Sequence, residues 1–574
     1  MLEAELVTLL RSHFGWDAAV APLAGERDLN FLVTTDEGKY VAKIQSAADH
    51  GFLQAQNRAL AHLESFPALR EPRVVTTRDG HDLVTLNDGR SLRVLTWLDG
   101  HMWSQDATRE QVTALGRTVG AVDQALADLD LRELAEHVQR PFGWNVLQTR
   151  DLLEHIELVS DDNLRQTVAR ILRHAVAELV PALEAMPTQV IHNDANENNI
   201  VVAGGQVSLI DFGDMILAPR VCGLAVACAY QFDSSPDPVR AIVPLVAGYH
   251  QSAPLTAVEL ELVFPLARLR VATSIVMAAL QHAARPDNDY LLVSQETFAA
   301  LIGVLDRASD DLAHFRLRAA CGFEANPSSR AVRQWLMSGL PRFGDVVMPP
   351  LAQATKVWFD WSPTGTGAPQ TTEEIAAAMA KAGATVAIGN YCEDRDVYKG
   401  DAYEVTDEAR RTVHLGVDLF APAGTPVYAG LDGTVALFND NATYLDYGPV
   451  IVLEHRTGEG VPFWTLYGHL SRPSLDGLYI GKPIRAGEQI ATMGEEHENV
   501  GWAPHTHFQL LTHLVGMGID VYGVAPLDDL PVWRSISPNP NLVLRIPEGT
   551  DVHATLPSNR LREERAVVMS RALS

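Results

Sequence analysis

The sequence predicts a multidomain chain in which a mixed α+β unit is followed by an all-β unit. Three observations lead to this prediction. The chain has 574 residues, which is too many for one hydrophobic core. A polar hairpin pattern, VIHNDANENNIVVAGGQVSLIDFGD, occupies residues 190–214 and precedes roughly a hundred residues of helical pattern. Beyond residue 385, short apolar runs alternate with Gly and Pro turns, which is typical of strands in an all-β domain.

The composition limits the classes of partner. A formal net charge of −27 argues against nucleic acid and against an anionic membrane surface. The four cysteines show no C-x-x-C spacing and predict no disulfide framework. The N-terminal MLEAELVTLL has no basic region or cleavage site of a signal peptide, and no apolar run reaches the length of about 18 residues typical of a membrane span. These features predict a cytoplasmic location.

The hairpin pattern brings two carboxylates and an amide together. Asp194 and Asn199 share one loop, and Asp211 returns beside them across a turn at Gly204-Gly205. One carboxylate can then orient or deprotonate a hydroxyl, while the amide and the second carboxylate hold magnesium against a triphosphate. The alternative is a polar surface hairpin whose side chains cap turns. We expect His192 to brace the loop through hydrogen bonds.

The spacing H-x-D-x-x-x-x-N followed by D-F-G resembles the protein-kinase-like catalytic core. In this form it is similar to the aminoglycoside phosphotransferases and choline-kinase-like enzymes, which phosphorylate small molecules. The resemblance implies a bilobal kinase-like α+β domain over residues 1–330, with a small lobe at 1–98 and a helical lobe at 99–330. It also implies ATP and Mg²⁺ as cofactors, with Asp194 as the catalytic carboxylate and with Asn199 and Asp211 as magnesium ligands.

Three further residues are expected to contact the nucleotide. Lys43 follows alternating apolar residues on a strand, where a kinase places the lysine that neutralises the α- and β-phosphates. Asn30 ends a Gly-poor phosphate loop at residues 24–30, and Trp97 lies in the hinge on which adenine would rest. The helix over residues 51–66 should supply the carboxylate that pairs with Lys43. Gln56 occupies that position, so we expect a hydrogen bond instead of an ion pair.

The helical lobe would supply the acceptor pocket. Tyr230, Asp233, Arg268 and Arg270 are candidate lining residues, and ordinary surface and interhelix pairs are the alternative for each.

Prolines and glycines accumulate between residues 340 and 370, which predicts a linker over residues 331–384. A short helix should start at Thr371 with a capping box to Glu374 and stop at Gly383. Cutting near Pro363 should separate two independent units. The competing expectation is that Trp358, Phe359 and Trp361 bury themselves against a neighbouring domain.

A second constellation lies in the C-terminal third. His505 and His507 are two apart on a predicted strand, so both face the same side about 7 Å apart. His414 and Asp418 would lie about 13 Å apart on a straight strand, too far for one ion. We therefore expect a bend at Gly416.

These residues, with Y-G-H-L-S at His469, resemble the lysostaphin-type zinc endopeptidases that cut peptidoglycan cross-bridges. The resemblance implies a peptidase domain at residues 385–547, with Zn²⁺ held by His414, Asp418 and His507. His469 and His505 would be the outer pair that polarises water and stabilises the oxyanion. Surface histidines, or a binding domain that keeps a metal without hydrolysis, are the alternatives, since peptidoglycan is extracytoplasmic.

The order of the two domains resembles the front of bacterial chains that continue into a class-III aminotransferase module, and residues 548–574 form a tail. The resemblance implies phosphorylation of a small amino alcohol, hydroxylysine-like or ethanolamine-like, and a peptide or peptidoglycan fragment as a second partner. The alternatives are a peptidoglycan or peptide endopeptidase with a regulatory kinase-like domain, and an aminoglycoside-modifying kinase.

Overall fold

The structure is a computed structural model, and its internal contacts divide the chain into two compact units between Ala308 and Ser309. Each unit is described by itself below. The part of the chain that the structure describes comprises residues 3–23, 28–104, 106–233, 235–284, 290–363, 365, 368–395, 397–398, 403–406 and 409–547. The predicted tail at 548–574 and residues 24–27 of the predicted phosphate loop lie outside the described residues.

The first unit opens with a small antiparallel sheet in the order β1-β2-β3-β6-β4, with β5 also on β6. Its core is formed by alternate side chains of β2, β3 and β6 together with the first helix, α1 (Glu3–His13), and includes Val33, Ala42 and Val94. Two further sheets, β10-β9-β7 and β11-β8, lie in the helical part. The strands are β1 Ala19–Leu23, β2 Leu29–Thr34, β3 Lys39–Gln45, β4 Val74–Val75, β5 Val84–Thr85, β6 Ser91–Thr96, β7 His101–Met102, β8 Gln189–Ile191, β9 Ile200–Ala203, β10 Gln206–Leu209 and β11 Ile216–Ala218.

The helices of the first unit follow mainly after β7. A capping box between Thr108 and Gln111 starts α3, and a π-helical turn at Ala175–Leu179 joins α6 to α7. The helices are α1 Glu3–His13, α2 His50–Leu63, α3 Arg109–Leu126, α4 Ala135–Val138, α5 Thr149–Leu153, α6 Asp162–His174, α7 Val180–Glu184, α8 Arg220–Ala229, α9 Val239–Ser252, α10 Ala257–Ala284 and α11 Tyr290–Arg307.

Helices α3 and α9 touch through glycine. A Cβ added at Gly116 would lie 2.0 Å from the Leu245 carbonyl oxygen, and one at Gly248 would lie 2.1 Å from the Thr113 carbonyl oxygen. The two backbones therefore approach more closely than any larger residue at these positions allows.

Helix α10 is long and apolar enough to cross a membrane, judged by length and composition only. Its most apolar stretch is 83% buried inside the protein. Burial on all sides of a core helix requires the same composition.

The second unit is built on a sheet in the order β12-β13-β16-β23-β20-β19-β18-β21, with the smaller sheets β14-β15-β24 and β17-β22. All the neighbouring pairs of the large sheet are antiparallel except β12 and β13, which run parallel. The strands are β12 Lys356–Phe359, β13 Val386–Gly389, β14 Glu404–Thr406, β15 Ala409–His414, β16 Val417–Phe420, β17 Pro426–Tyr428, β18 Gly433–Asn441, β19 Gly448–Arg456, β20 Pro462–Gly468, β21 Pro483–Ile484, β22 Gln489–Thr492, β23 His505–Leu511 and β24 Val524–Pro526.

Helices cover this sheet, so the predicted all-β domain is β-rich. Residues of the first two helices, such as Phe315 and Val332, share one apolar core with strand residues such as Phe463 and Phe508. Buried polar contacts join the same parts: Asn326 Nδ2 donates to Thr512 Oγ1 at 2.7 Å. The helices are α12 Asp310–Ala320, α13 Pro327–Met337, α14 Thr372–Ala382, α15 Leu530–Ile536 and α16 Asn541–Leu544.

The division of the chain differs from the predicted domain boundaries. Helix α12 and the start of α13 were expected to end the first domain at residue 330, and residues 331–384 were expected to form a linker. In the structure α12 and α13 pack in the second unit, because their apolar faces belong to its core. Strand β12 joins the large sheet, so a cut near Pro363 would split this unit.

The short helix inside the predicted linker is confirmed. Thr371 accepts from the backbone N–H of Glu374 and completes a capping box, and α14 ends at Gly383 with φ +61°. Its buried Ile375 and Met379 pack with Phe359, whose ring contacts Trp361 and Phe420. The aromatic residues of this segment therefore dock on the second unit, as the competing expectation held.

Candidate functional sites

The hairpin of the first unit brings Asp194 and Asn199 together. Strands β9 and β10 pair antiparallel around Gly204 and Gly205, both at positive φ, as the sequence predicts. Asn199 Nδ2 donates to Asp194 Oδ2 at 2.7 Å and to the Asp194 carbonyl oxygen at 3.0 Å. These bonds occupy the amide nitrogen and leave Asn199 Oδ1 as the atom for a cation.

His192 braces this loop, as expected. Its Nε2 lies 3.0 Å from the Ile210 carbonyl oxygen, and its Nδ1 accepts from the Asp194 backbone N–H at 3.2 Å. A carbonyl can only accept, so the proton is on Nε2 and the ring is neutral. Burial lowers the pKa of His192 and maintains that state.

Lys43 lies against Asp211. The Lys43 Nζ is 2.8 Å from Asp211 Oδ2, and the lysine side chain is 8% exposed. Asp211 is at φ +59° and accepts from the Gly213 N–H through Oδ1 at 3.0 Å, which orients its carboxylate. Burial would raise the pKa of Asp211, but the neighbouring Lys43 outweighs it and holds that pKa below its usual range.

The prediction of a hydrogen bond between Lys43 and Gln56 is wrong. Gln56 Oε1 accepts from Arg93 Nη2 at 2.5 Å, and Asn57 Oδ1 accepts from Arg93 Nη1 at 3.2 Å. Arg93 is directly opposite Lys43 in the β3–β6 pair. The buried guanidinium takes both amides because it has more donors to satisfy than the ammonium group.

Of the four candidate pocket residues, Arg270 lies beside Asp194 and Tyr230 lies beside Arg270. Arg270 Nη2 is 3.3 Å from Asp194 Oδ1, and the Arg270 guanidinium lies 4.3 Å from the centre of the Trp144 ring and 5.8 Å from that of Tyr230. Arg268 instead lies against Phe264, and the exposed Asp233 bonds Ser235.

The remaining nucleotide candidates lie on the small sheet. Asn30 of β2 is directly opposite Lys43 in the β2–β3 pair. Trp97 directly follows β6, where its backbone N–H donates to the Lys39 carbonyl oxygen at 3.2 Å and its Nε1 donates to Asp99 Oδ1 at 3.1 Å.

In the second unit, His414, Asp418 and His507 converge. The predicted break is present: β15 ends at His414 and β16 starts at Val417. His414 Nε2 lies 3.0 Å from His507 Nδ1, and each of these two nitrogens lies 3.1 Å from Asp418 Oδ1. A Cβ at Gly416 would lie 2.4 Å from the His507 ring, so only glycine permits this approach.

The donor atoms fit a metal cation. His414 Nδ1 lies 2.8 Å from the Asn390 carbonyl oxygen, and His507 Nε2 lies 3.0 Å from Gln509 Oε1, so these nitrogens carry the protons. The other nitrogen of each ring then presents a lone pair to the same point as the Asp418 carboxylate. In this arrangement no proton lies between the two lone pairs and the carboxylate, whereas Zn²⁺ would use all three donor atoms as ligands.

Protonation of His414 and of Asp418 is disfavoured. Burial, and next the Arg395 guanidinium, lower the pKa of His414 to about 4. Burial opposes ionisation of Asp418, but His414 and Arg395 hold its pKa well below the usual range. His414 therefore keeps the neutral form and Asp418 the ionised form, and these are the forms that bind metal.

His469 and His505 lie beside these three residues. Their ring centroids are 4.2 Å apart, and His505 Nε2 is 3.8 Å from Asp418 Oδ1. His505 Nδ1 lies 2.7 Å from the Ala503 carbonyl oxygen, which places the proton there. Strand β23 therefore presents His505 and His507 on one face, as expected.

Two family models match the chain. The model of the phosphotransferase enzyme family, APH, matches residues 19–257, and that of peptidase family M23 matches residues 412–518. The chain joins an APH phosphotransferase domain to an M23 peptidase domain. Both resemblances predicted from the motifs are thereby confirmed, as is the kinase-like α+β fold followed by a β-rich peptidase fold.

Three relatives illustrate the two similarities. Hydroxylysine kinase of Mus musculus is 29% identical over 328 residues, covering 51% of this chain and 86% of the relative. Homoserine kinase of Chelativorans sp. is 27% identical over 250 residues, covering 42% and 74%. A DD-carboxypeptidase/endopeptidase of Neisseria meningitidis is 33% identical over 97 residues, covering 17% of this chain and 20% of the relative.

Sequence reasoning missed a buried charge cluster in the M23 domain. Arg395 Nη1 donates to Asp418 Oδ2 at 2.7 Å, and Arg395 Nε donates to Glu393 Oε2 at 2.6 Å. Arg395 thus occupies one carboxylate oxygen of Asp418 and leaves Oδ1 for the metal. The stretch CEDRD carries no recognisable signal for this role, because it depends on the return of β16 beside the loop.

Proposed function

We propose that the phosphotransferase domain transfers the γ-phosphoryl group of ATP to the hydroxyl of a small amino alcohol. The observation that carries this proposal is the grouping of Asp194, Asn199, Asp211 and Lys43 around one hairpin. The similarity to hydroxylysine kinase favours a hydroxylysine-like acceptor over ethanolamine or an aminoglycoside. ATP and Mg²⁺ are the proposed cofactors.

Each residue has a distinct proposed task. Asp194 accepts the hydroxyl proton or orients the hydroxyl, and Asn199 and Asp211 hold magnesium against the β- and γ-phosphates. Lys43 leaves Asp211 for the α- and β-phosphates when the nucleotide binds. Because little covalent chemistry is required, positioning and charge stabilisation supply most of the rate.

The test is ADP formation across a panel of amino alcohols, hydroxy amino acids and aminoglycosides. Asp194→Asn should lower kcat at least about 100-fold, since it removes the proton acceptor. Asp128→Asn changes an exposed carboxylate of the same domain and should leave kcat unchanged. Full activity of Asp194→Asn, or nucleotide binding with no acceptor phosphorylated, would exclude this function and leave a regulatory nucleotide-binding domain.

For the M23 domain we propose zinc-dependent cleavage of a peptide bond in peptidoglycan or a short peptide. His414, Asp418 and His507 would hold Zn²⁺, which supplies an activated water when bound. His469 and His505 would then hold the proton of that water and donate to the oxyanion. The supporting observation is the convergence of three donor atoms, which lie within 4.8 Å of one another.

Metal analysis tests this proposal first. The purified chain should contain about one zinc per molecule, and His414→Ala should lose it. His497→Ala removes an exposed histidine of the same unit and should retain the metal. Peptidoglycan and short glycine-rich peptides then test hydrolysis. Zinc without any cleavage would indicate a metal-bearing scaffold, the alternative consistent with the burial of all five residues.

A further inference from the structure

Two buried cations lie side by side in the small lobe. Lys43 and Arg93 are Cα partners in the β3–β6 pair, and both side chains are almost fully buried. Like charges at this separation repel unless carboxylates stand beside them. Arg93 is bonded to the neutral amides of Gln56 and Asn57, which cancel none of this charge.

Helix α2 offers no counter-ion to Lys43. Its sequence, HGFLQAQNRALAHL, contains no Asp or Glu. Among the described residues, the groups that face Lys43 are Asp211 at 2.8 Å, Asp28 at 3.9 Å, and the strand neighbours Asn30 and Arg93. In the proposed reaction Asp211 turns to magnesium, and of these carboxylates Asp28 is then the one left beside the lysine.

Asp28 is held in place for this role. Gln45 Nε2 donates to Asp28 Oδ2 at 2.8 Å. Gln45 is two residues from Lys43 on β3, so both side chains lie on the same face of the strand. Burial raises the pKa of Asp28 above its usual value, and the Lys43 ammonium opposes this shift.

We propose that Asp28 is a positioning residue that replaces the missing helix carboxylate and directs Lys43 toward the phosphates. This inference rests on the proposed phosphotransferase function. Asp28 acts through Lys43, and its carboxylate holds the ammonium group in the nucleotide site while Asp211 binds magnesium.

The test compares Asp28→Asn, Asp28→Glu and Gln56→Glu in the full chain. ADP formation is measured with the acceptor or, in its absence, with water, and nucleotide affinity is measured by titration with Mg–AMP-PNP. Asp28→Asn should lower kcat ~tenfold or more, because Lys43 loses the carboxylate that positions it. Nucleotide binding should not weaken, because a carboxylate near the phosphates repels them. Asp28→Glu should recover part of kcat, a rescue that a merely structural role would not produce.

The helix position serves as the matched control. Adding Gln56→Glu to the Asp28→Asn variant should not restore its kcat, since residue 56 faces Arg93. Unchanged kcat in Asp28→Asn would overturn the proposal, and so would rescue by Gln56→Glu. If Asp28→Asn fails to fold, an Asp28→Glu variant with kcat reduced less than tenfold supports the role, and one as inactive as Lys43→Ala contradicts it. Wild-type protein that binds no nucleotide and forms no ADP would instead refute the proposed function.

Discussion

Asp123 is a buried carboxyl group inside the phosphotransferase domain, where the Tyr249 hydroxyl donates to its Oδ2 at 2.7 Å. Burial raises the pKa of Asp123 to about 7, against the opposing effect of that hydrogen bond. Between about pH 4 and pH 7 the unfolded chain has lost this proton and the folded domain retains it. The stability of the domain therefore falls as pH rises through this window.

Asp123→Asn should remove most of this dependence. The amide of the variant keeps an acceptor for Tyr249 and cannot ionise. We therefore expect the unfolding free energy of the domain to rise by an amount on the order of 2–3 kcal/mol at pH 8 and to change little at pH 4. Thermal or denaturant unfolding at the two pH values measures it. Asp128→Asn is the exposed control, and an unaltered pH dependence in Asp123→Asn would contradict the assignment.

Arg395 is central to the charge balance of the M23 domain. Arg395→Met would leave Glu393, whose side chain is fully buried, without its cation. We expect a loss of about 3–5 kcal/mol in the unfolding free energy of this domain. Adding Glu393→Gln should recover part of the loss, since it removes one of the two carboxylate charges that Arg395 compensates, the other being that of Asp418. Equal stability of the single and double variants would show that the pair is not coupled.

The residues that sequence reasoning could nominate are those in short motifs. Asp194, Asn199 and Asp211, or His414 and Asp418, follow each other at fixed spacing, and that spacing reflects one hairpin or one bend. Asp28 and Arg395 lie in no recognised motif, because each gains its partner only when a strand, β3 or β16, folds back beside it. Gln56 shows the same limit: its position was predicted, and its partner was not.

At the scale of elements, the contact between α3 and α9 depends on glycine. Gly248→Ala would place a methyl group on the Thr113 carbonyl oxygen, and backbone cannot turn aside as a side chain can. We expect Gly248→Ala to lower the unfolding free energy by about 2–3 kcal/mol. Gly303→Ala in α11 is the control, because its nearest atom is the flexible Arg307 guanidinium at 3.7 Å. That change should be neutral or stabilise by about 0.5–1 kcal/mol. Equal effects in denaturant unfolding would refute the close approach.

Local sequence signals predicted the bounds of single helices better than they predicted which compact unit each helix belongs to. The Thr371–Glu374 capping box and Gly383 bounded α14 correctly. The amphipathic patterns of α12 and α13 show only that each helix has an apolar face. Which core receives that face depends on long-range packing, such as the bond from Asn326 to Thr512, and this placed the boundary at Ala308 instead of residue 330.

At the scale of the molecule, the chain should separate between Ala308 and Ser309. Pieces 1–308 and 309–574 should each fold, because the division leaves each core intact. Mg–AMP-PNP should raise the thermal midpoint of the first piece only, and zinc that of the second only. A cut after residue 363 should cost the C-terminal piece its zinc response, since β12 is removed from the sheet. In the intact chain, a nucleotide that shifted both transitions together would contradict separate units.

The burial of the M23 histidines and Asp418 should also limit the rate at which other molecules reach them. His414, Asp418, His469, His505 and His507 are each 6% exposed or less, so neither a chelator nor a peptide reaches the donor atoms without an opening of the domain. Once zinc is bound, we expect its removal by a chelator to reach a maximum rate that no longer depends on chelator concentration. That plateau would measure how often the domain opens, and the same opening rate would set the upper limit on peptide turnover.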